Sequence, residues 1–428
     1  MAAQKISFYT LGCRLNQSET ASIQNSFDAP GYTVVDFEQP ADIVVINTCT
    51  VTEGGDADTR RLVHKVNRLN PQARIALVGC QAQVQKEKLA ALSNVRWIVG
   101  NQRKMELAQV FAEHPDPQTA EVITPTIERQ PFTLPTAVGD RRHTRANIKI
   151  QDGCDFFCSF CEIPYARGRA RSRVFDDIIL EAQALVASGH KELVLTGINI
   201  GTYQYEGKEL LHVIDALEAI EGLDRIRISS IEPTTIPLEL FERMGHQKLC
   251  RYLHIPLQSG HNDILSAMKR KYTLEQFRDF IEYAHKHVPQ ICIGTDVIVG
   301  FPDETEAHFE ATGDFLREAP LHYFHVFSYS PRHMAQSRLL QTLTPPVINE
   351  RSRILRELSS RKRRIFHESL LGTTQQVLCE HQQKIGEWNG LTDHYVKIKF
   401  KAATDLHNCL VSVRLTRLDG QTVCGEML

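Results

Sequence analysis

The chain has 428 residues, too many for one ordinary compact core, so two or three domains are expected. With 42% hydrophobic and 23% charged residues and no low-complexity tract it reads as globular, and no apolar run of about 18 residues exists to span a membrane. A net charge of −2 excludes capture of nucleic acid by the whole-molecule field, so RNA binding would need a local basic patch.

The opening residues, MAAQKISFYTLGC, enter a strand pattern at once and lack the apolar segment of a secretory signal. The chain is therefore expected to be cytoplasmic. Eleven cysteines in that reducing compartment point to metal binding or catalysis before they point to disulfides. Over residues 1–113, ISFYTL (6–11), DIVVIN (42–47) and RIALV (74–78) are strand-like, and stretches of helical length such as 16–27 and 59–69 lie between them. That alternation predicts an α/β domain with a parallel sheet and helices on its faces. Residues 114–143 are proline-rich and aperiodic and read as a linker.

From 144 to 345 the alternation resumes, with strand candidates at 146–150, 192–195, 225–229, 252–255, 291–299 and 323–327. Six βα units suit a partial (β/α)6 barrel, because a full eight-fold barrel usually needs about 250 residues. Residues 346–367 form a basic helical linker in which Arg351, Arg353, Arg356, Arg361, Lys362, Arg363 and Arg364 crowd about four turns. Ile354, Leu355, Leu358 and Ile365 recur near helical spacing, so one face can dock while the basic residues face water and bind RNA; the plainer reading is a solvated helix surface. From 368 to 428, QQVLCE, YVKIKF, CLVSVRLTRL and TVCGEML alternate like the strands of a small β-barrel.

The strongest chemical signal is Cys154-x3-Cys158-x2-Cys161, directly after a strand and so in the loop at the barrel's C-terminal mouth. Thiolates are soft ligands suited to iron–sulfur clusters, and the short spacing lets one loop hold three irons and leave a fourth open. Structural zinc, the main rival, wants four closed ligands, and no fourth cysteine lies nearby. A second set is Cys13 (TLGCRLN), Cys49 (INTCTVT) and Cys80 (LVGCQAQ), each ending an expected strand of the first sheet. Ligands of such sheets gather beyond the strands' carboxyl ends, so three cysteines distant in sequence can converge there. Taken singly, each could be a small buried hydrophobe.

The cysteine triplet with Phe160 before its last member, followed by Ile163-Pro164-Tyr165-Ala166-Arg167-Gly168, resembles the radical S-adenosylmethionine (radical SAM) enzymes, and within them the methylthiotransferase branch. The resemblance implies a 4Fe-4S cluster on Cys154, Cys158 and Cys161 that chelates SAM, and an auxiliary 4Fe-4S cluster on Cys13, Cys49 and Cys80, the site of the sulfur to be inserted. It also implies cofactor contacts from Phe160, from Thr196, Gly197 and Asn199 in LTGIN, from Ser229 and Glu232 in SSIEP, from Gln258 in HIPLQSG, and from Gly300 in the segment 296–305, which resembles the family motif that lies against adenine. The segment Gly390–Val396 resembles the RNA-binding TRAM domain of the family, although the tail from 371 carries as many acidic as basic residues. Asp303 stands where the family usually has glycine, and His333-Met334-Ala335 replaces a Gly-Thr segment.

Within the branch, TLGCRLNQSET, VINTCTVT, RISSIEP and FHVFSYSPR are most similar to the tRNA threonylcarbamoyladenosine methylthiotransferases. This implies transfer of a methylthio group to C2 of the modified adenosine on the 3′ side of the anticodon. The expected partners are the tRNA anticodon loop, a reducing electron donor and a sulfur source, with no membrane involved. The alternatives are a sister enzyme acting on isopentenyl-adenosine or on a ribosomal-protein aspartate, and a non-catalytic RNA-binding iron–sulfur protein. Cys250, Cys292, Cys379, Cys409 and Cys424 are read as packing residues, and the histidines as surface or satisfied core residues.

Overall fold

The apolar runs of the first hundred residues assemble as one parallel sheet in a computed structural model, which describes residues 3–27, 31–135, 144–245 and 248–428. Strands β1 (Gln4–Thr10), β2 (Tyr32–Val34), β3 (Ile43–Thr48), β4 (Arg74–Gly79), β5 (Val95–Val99) and β6 (Glu121–Ile123) lie in the order β2-β1-β3-β4-β5-β6, every pair parallel. All six side chains of β3 are buried, as a central parallel strand covered on both faces requires. Strand β6 falls inside the stretch expected to be a linker. With three residues and an exposed Val122 it carries no periodicity to read, yet it completes the sheet edge.

The second region supplies β7 (Arg145–Lys149), β8 (Glu192–Thr196), β9 (Arg225–Ile228), β10 (Tyr252–His254), β11 (Cys292–Val299) and β12 (Tyr323–Ser328). They form two parallel three-stranded sheets, β9-β8-β7 and β10-β11-β12, joined by the parallel bridges Ile226–Leu249 and Ser230–His254. The result is the expected six-stranded partial barrel, with no pairing of β12 to β7 among the described residues. Ile148, Leu193, Leu195, Ile226, Ile228, Leu253, Ile293, Val297 and Phe324 pack outward with the helices in the main core. Strand alternation turns their neighbours inward, and most of those are polar: Glu192, Arg225, Arg227, Tyr252, His254, Asp296, Tyr323 and His325.

Strands β13 (Thr374–Lys384), β14 (Glu387–Thr392), β15 (Lys397–Lys401), β16 (Leu410–Asp419) and β17 (Thr422–Met427) close as a barrel in the order β13-β14-β15-β17-β16. This barrel seats on the lower end of the lumen. Arg225 donates to the carbonyl oxygens of Leu391 (2.9 Å) and Gln376 (2.6 Å), and Arg227 to those of Asp393 (2.8 Å) and Thr392 (3.1 Å). Arg227 also donates to Glu192 at 2.6 Å, so its charge is paired. Tyr252, Cys292 and Tyr323 share one apolar cluster with Trp388, Val396 and Phe400, which seals the floor. Among the described residues no helix is long and apolar enough to cross a membrane.

The helix Pro345–Ser369 runs along β12, with the Ser359 hydroxyl bonded to the backbone N and O of Phe324. Its charges do not simply face water, contrary to expectation. Arg351 is buried against Glu304 (2.6 Å) and Glu306 (2.7 Å), Arg353 pairs with Glu350 and Glu357, and Arg364 pairs with Glu368. Lys362 donates to the carbonyls of Leu316, Arg317 and Ala319, capping another helix end. Ile354 and Ile365, expected on the docking face, are exposed. Of the helix's basic residues, only Arg356 and Arg361 are exposed and meet no acid among the described residues. Of the cysteines read as packing residues, Cys250, Cys292, Cys379 and Cys424 are buried, whereas Cys409 is exposed.

Histidines buried where the C-terminal barrel meets this helix set a pH dependence. His394 is fully buried, its ring nitrogens have no hydrogen-bond partner, and burial pushes it down to about 4 although Asp393 opposes the shift. Burial shifts His367 the same way, also to about 4. An unfolded histidine titrates near 6.5, so between those values the unfolded chain holds the extra proton and native stability falls as pH drops. Denaturant unfolding at pH 7 and pH 5 should differ by about 2 kcal/mol for His394 alone. His394→Gln should remove that share; an unaltered difference in the variant would exclude this histidine as its source.

Candidate active site

Cys13, Cys49 and Cys80 stand at the carboxyl ends of β1, β3 and β4, and the parallel register brings those three ends side by side. Cys13 is exposed; Cys49 and Cys80 are buried. A Cβ on Gly12 would come within 2.7 Å of the Cys49 Sγ, and Gly12 has φ +91°, so only glycine lets the first loop pass this close. Burial pushes the Cys49 thiol up to about 12, with the charges of Cys80 and Cys13 adding to the shift. The three sulfurs are thus near enough to repel one another as thiolates.

Cys154, Cys158 and Cys161 occupy the loop that follows β7 and leads into the short helix Ile163–Arg167. Burial pushes the Cys154 thiol up to about 11, with Cys158 and Glu232 adding, and raises Cys158 and Cys161 too. Phe157, inside the loop, takes φ +49°, a conformation a bulky residue rarely adopts outside functional loops. The Phe156 N–H points at the Cys154 Sγ (3.4 Å), and Arg270 Nη1 at the Cys158 Sγ (3.3 Å).

The two triads face each other across a bonded seam. Thr50, next to Cys49, donates to Glu162, next to Cys161, at 2.6 Å. Arg332 donates to Thr50 (3.2 Å) and Asp56 (2.7 Å), and the Met334 N–H to Glu162 (2.9 Å). The His333-Met334-Ala335 departure therefore lies in the seam. Arg167 donates to the Cys80 Sγ at 3.1 Å, and Asn101 to the carbonyl of Ala166 at 2.6 Å. Beneath lies a buried charge network. Glu19 accepts from Lys104 (2.5 Å), Lys149 (2.7 Å) and Arg167 (2.9 Å), and Asp152 accepts from Lys149 (2.7 Å) and Arg167 (3.0 Å). Burial alone would raise Glu19, but Arg167, Lys104 and Lys149 together hold it well below the usual carboxylate range.

Three buried cations against two carboxylates leave positive charge beside Cys80. That surplus, three soft donors per triad and N–H groups aimed at sulfur fit anionic iron–sulfur clusters.

The other residues expected around the cofactor divide. Phe160 is half-buried against Phe301, Tyr329 and Met268. Thr196 is buried and its hydroxyl is bonded to the Ile148 carbonyl. Gly197 has no room for a Cβ, which would sit 2.7 Å from Ile200. Asn199 is buried with its Nδ2 lacking any partner, a donor left for a ligand. Ser229 is half-buried after β9; Glu232 pairs with Arg270 at 2.5 Å. Gln258, at φ +74°, is stitched to β11 through its backbone. Gly300 abuts the long helix, where a Cβ would strike Ile348 at 2.5 Å. Asp303 itself takes φ +65°, the conformation glycine would supply, which aspartate tolerates better than most residues. The histidines read as surface or satisfied core residues include His254 and His325, whose ligating atoms lie within 4.8 Å of each other and of an Asp296 oxygen.

Sequence reasoning missed Glu19, Asp56, Asn101, Lys104, Glu162 and Arg332. Glu19 and Arg332 stand inside the motifs TLGCRLNQSET and FHVFSYSPR, while the others carried no signal beyond a polar side chain.

The family model described as "Radical SAM superfamily" matches residues 148–316, and that described as "Uncharacterized protein family UPF0004" matches 5–100. The "Threonylcarbamoyladenosine tRNA methylthiotransferase MtaB" of Aquifex aeolicus is 38% identical over 92% of this chain and 96% of its own. The protein of the same name from Bacillus subtilis is 37% identical over 96% and 94%. The chain belongs to the radical SAM methylthiotransferase family. Radical SAM methylthiotransferases are transferases that use SAM and a 4Fe-4S cluster and carry a second cluster. Also similar is the "tRNA-2-methylthio-N(6)-dimethylallyladenosine synthase" of Cereibacter sphaeroides, 33% identical over 100% and 99%. Among solved structures, the radical SAM methyltransferase TsrM of Kitasatospora setae shares the fold, with TM-score 0.56, 15% identity and 77% and 75% coverage.

Removing Glu19 would leave the seam's buried cations facing Asp152 alone. Glu19→Ala should cost about 3–5 kcal/mol in denaturant unfolding at pH 7. Because Glu19 is depressed, its contribution is full above about pH 4.5 and fades as pH falls through its native value, so the deficit should narrow in acid. A deficit that stays constant down to about pH 2.5 contradicts the assignment.

Proposed function

We propose that this chain adds a methylthio group to C2 of N6-threonylcarbamoyladenosine adjoining the anticodon in cytosolic tRNA. The observation that carries this reading is the pair of thiol triads facing each other across the Thr50–Glu162 and Arg167–Cys80 contacts. The full-length similarity to enzymes named for that nucleoside supports the substrate. C2 of adenine has no acidic proton and no leaving group, so acid–base catalysis by side chains cannot functionalise it.

Cys154, Cys158 and Cys161 would hold the SAM-binding cluster, and Cys13, Cys49 and Cys80 the auxiliary one. Bound there, the clusters and SAM supply the electron, the sulfur, the methyl group and the radical that opens the inert C–H bond. The chain's own residues position and shield. Arg270 ties Cys158 to Glu232 and to the Pro256 carbonyl, fixing one wall of the mouth. The unpartnered Asn199 Nδ2 offers a donor to the polar end of SAM. Arg167, Asn101 and Thr50 lock the two domains so that both triads face one space, and the seated C-terminal barrel closes the far end of the lumen to water. The base must leave the anticodon stack to reach that space. A reducing donor and a sulfur source complete the cycle.

Cys158→Ala should abolish formation of 5′-deoxyadenosine from SAM while leaving about half the iron, since a three-thiolate site rarely survives losing a ligand. Cys49→Ala should keep SAM cleavage and insert no sulfur. Iron and sulfide assays with EPR of the reduced protein, and mass spectrometry of tRNA nucleosides, read the two effects. Wild-type protein that holds a single cluster after anaerobic reconstitution refutes the two-site reading.

Since most charges of the long helix are neutralised internally, Arg356 and Arg361 are its available phosphate ligands. Changing both to Gln should weaken tRNA binding and flatten the slope of log K against log salt by about 0.7–0.9 for each phosphate no longer neutralised. Isotherms at several salt concentrations measure it. An unchanged slope moves the RNA-binding surface elsewhere, for example to Arg145 or to Arg141 and Arg142, which lie outside the described residues.

A further inference from the structure

Adenine carries C2 and C6 on either side of N1 in one six-membered ring, so the bonds that leave the ring at those two carbons diverge. A base that offers C2 to the thiol triads at the mouth therefore directs its N6 substituent to one side of that approach, toward the wall and floor of the lumen. The residues that line the lumen beside and below Asp296 are within the reach of that substituent. The Tyr252 and Tyr323 hydroxyls are bonded at 2.6 Å, and the Tyr395 ring lies 5.0 Å from that of Tyr252. The exposed His325 ring sits 5.4 Å from both His254 and Tyr323.

Two guanidinium groups border this aromatic floor. Arg14, which follows Cys13, lies 4.9 Å over the Tyr395 ring and donates to its hydroxyl. Arg363, from the long helix, lies 4.8 Å over the Tyr323 ring. Neither meets a carboxylate among the described residues. Their neighbours do: Arg145 pairs with Glu380, Arg227 with Glu192, and Arg251 with Asp393. Half-buried cations left without an anion, beside aromatic faces, are suited to an anion brought by a ligand.

We propose that Arg14 and Arg363, with His325, recognise the carboxylate of an amino-acid substituent on N6 of the substrate adenosine. The proposal rests on the threonylcarbamoyladenosine reading and adds the residues that select that base. A hydrocarbon substituent would bury both guanidinium groups without a partner, which disfavours it. One arginine comes from the first domain and the other from the helix before the C-terminal barrel, so the pocket exists only in the assembled chain.

The test uses reconstituted enzyme and three anticodon stem-loops, carrying threonylcarbamoyladenosine, its methyl ester, or plain adenosine. Wild type should bind the acid more tightly than the ester, which has the same framework without the charge. Arg363→Gln and Arg14→Gln should each weaken binding of the acid about tenfold, the scale of a charge-assisted hydrogen bond, and erase the preference over the ester. Arg363→Lys should retain part of it, and iron content checks that Arg14→Gln leaves the neighbouring Cys13 site loaded. Equal affinity of wild type for acid and ester overturns the proposal. So does an equal fall for all three RNAs in the variants, which would assign the arginines to phosphate. Nucleoside mass spectrometry separates the two readings. If wild type methylthiolates the acid-bearing loop but the variants keep the preference, recognition by these arginines fails alone; if wild type leaves the acid-bearing loop unmodified, the substrate reading itself fails.

Discussion

Arg167 is buried, and a buried guanidinium is tolerated only where anions and acceptors meet its donors. Here they come from both domains: Glu19 and Asn16 from the first helix, Asp152 from the barrel, and the sulfur of Cys80. The seam thus cannot open without stranding charge. Because Arg167 follows Cys161 by one short helix, the same contact that joins the domains sets the distance between the two thiol triads. Stability and site geometry are one constraint.

The C-terminal barrel obeys a related logic with different partners. Arg225 and Arg227 direct their donors at backbone carbonyls of its Leu391–Asp393 segment, groups whose directions are fixed by the strand they end. Side chain to side chain pairing would allow the barrel to rock; bonds to carbonyls, backed by Trp388 and Phe400 against Tyr252 and Tyr323, do not. The lumen therefore has an aromatic floor held by directed bonds and an open mouth, which confines a flipped base to one direction of entry.

The parts legible in the sequence were those with local cause. Strand periodicity located nine of the parallel strands, and cysteines at strand ends implied convergence because parallel register aligns such ends. Glycines at close approaches, such as Gly12 and Gly197, sat in recognisable motifs. What failed was anything whose cause lies far along the chain. Arg167 and Glu19 are 148 positions apart, and each alone reads as an ordinary surface charge. The long helix shows the same failure in reverse. Its Arg351 reads as part of an RNA patch only while Glu304 and Glu306, 47 and 45 positions back, are out of view; Glu350, Glu357 and Glu368 pair with Arg353 and Arg364 from within the same helix. Strand β6 failed for want of length, not of partners.

The distribution of charge bears on how such a chain can select an RNA. With a net charge of −2 and most arginines committed to internal carboxylates or carbonyls, few cations remain to supply affinity by counterion release. Discrimination among RNAs must then come from groups whose desolvation is offset by one ligand and not by its analogue. A site that leaves buried donors unpaired rejects the wrong ligand far more strongly than an apolar pocket can. The lumen of this barrel is of the first kind. Its inward side chains are mostly tyrosines, histidines, arginines and acids, while most aliphatic residues of the same strands point outward into the helices. Alternation along six parallel strands, the simplest regularity in the sequence, is what turns that polar face toward the substrate.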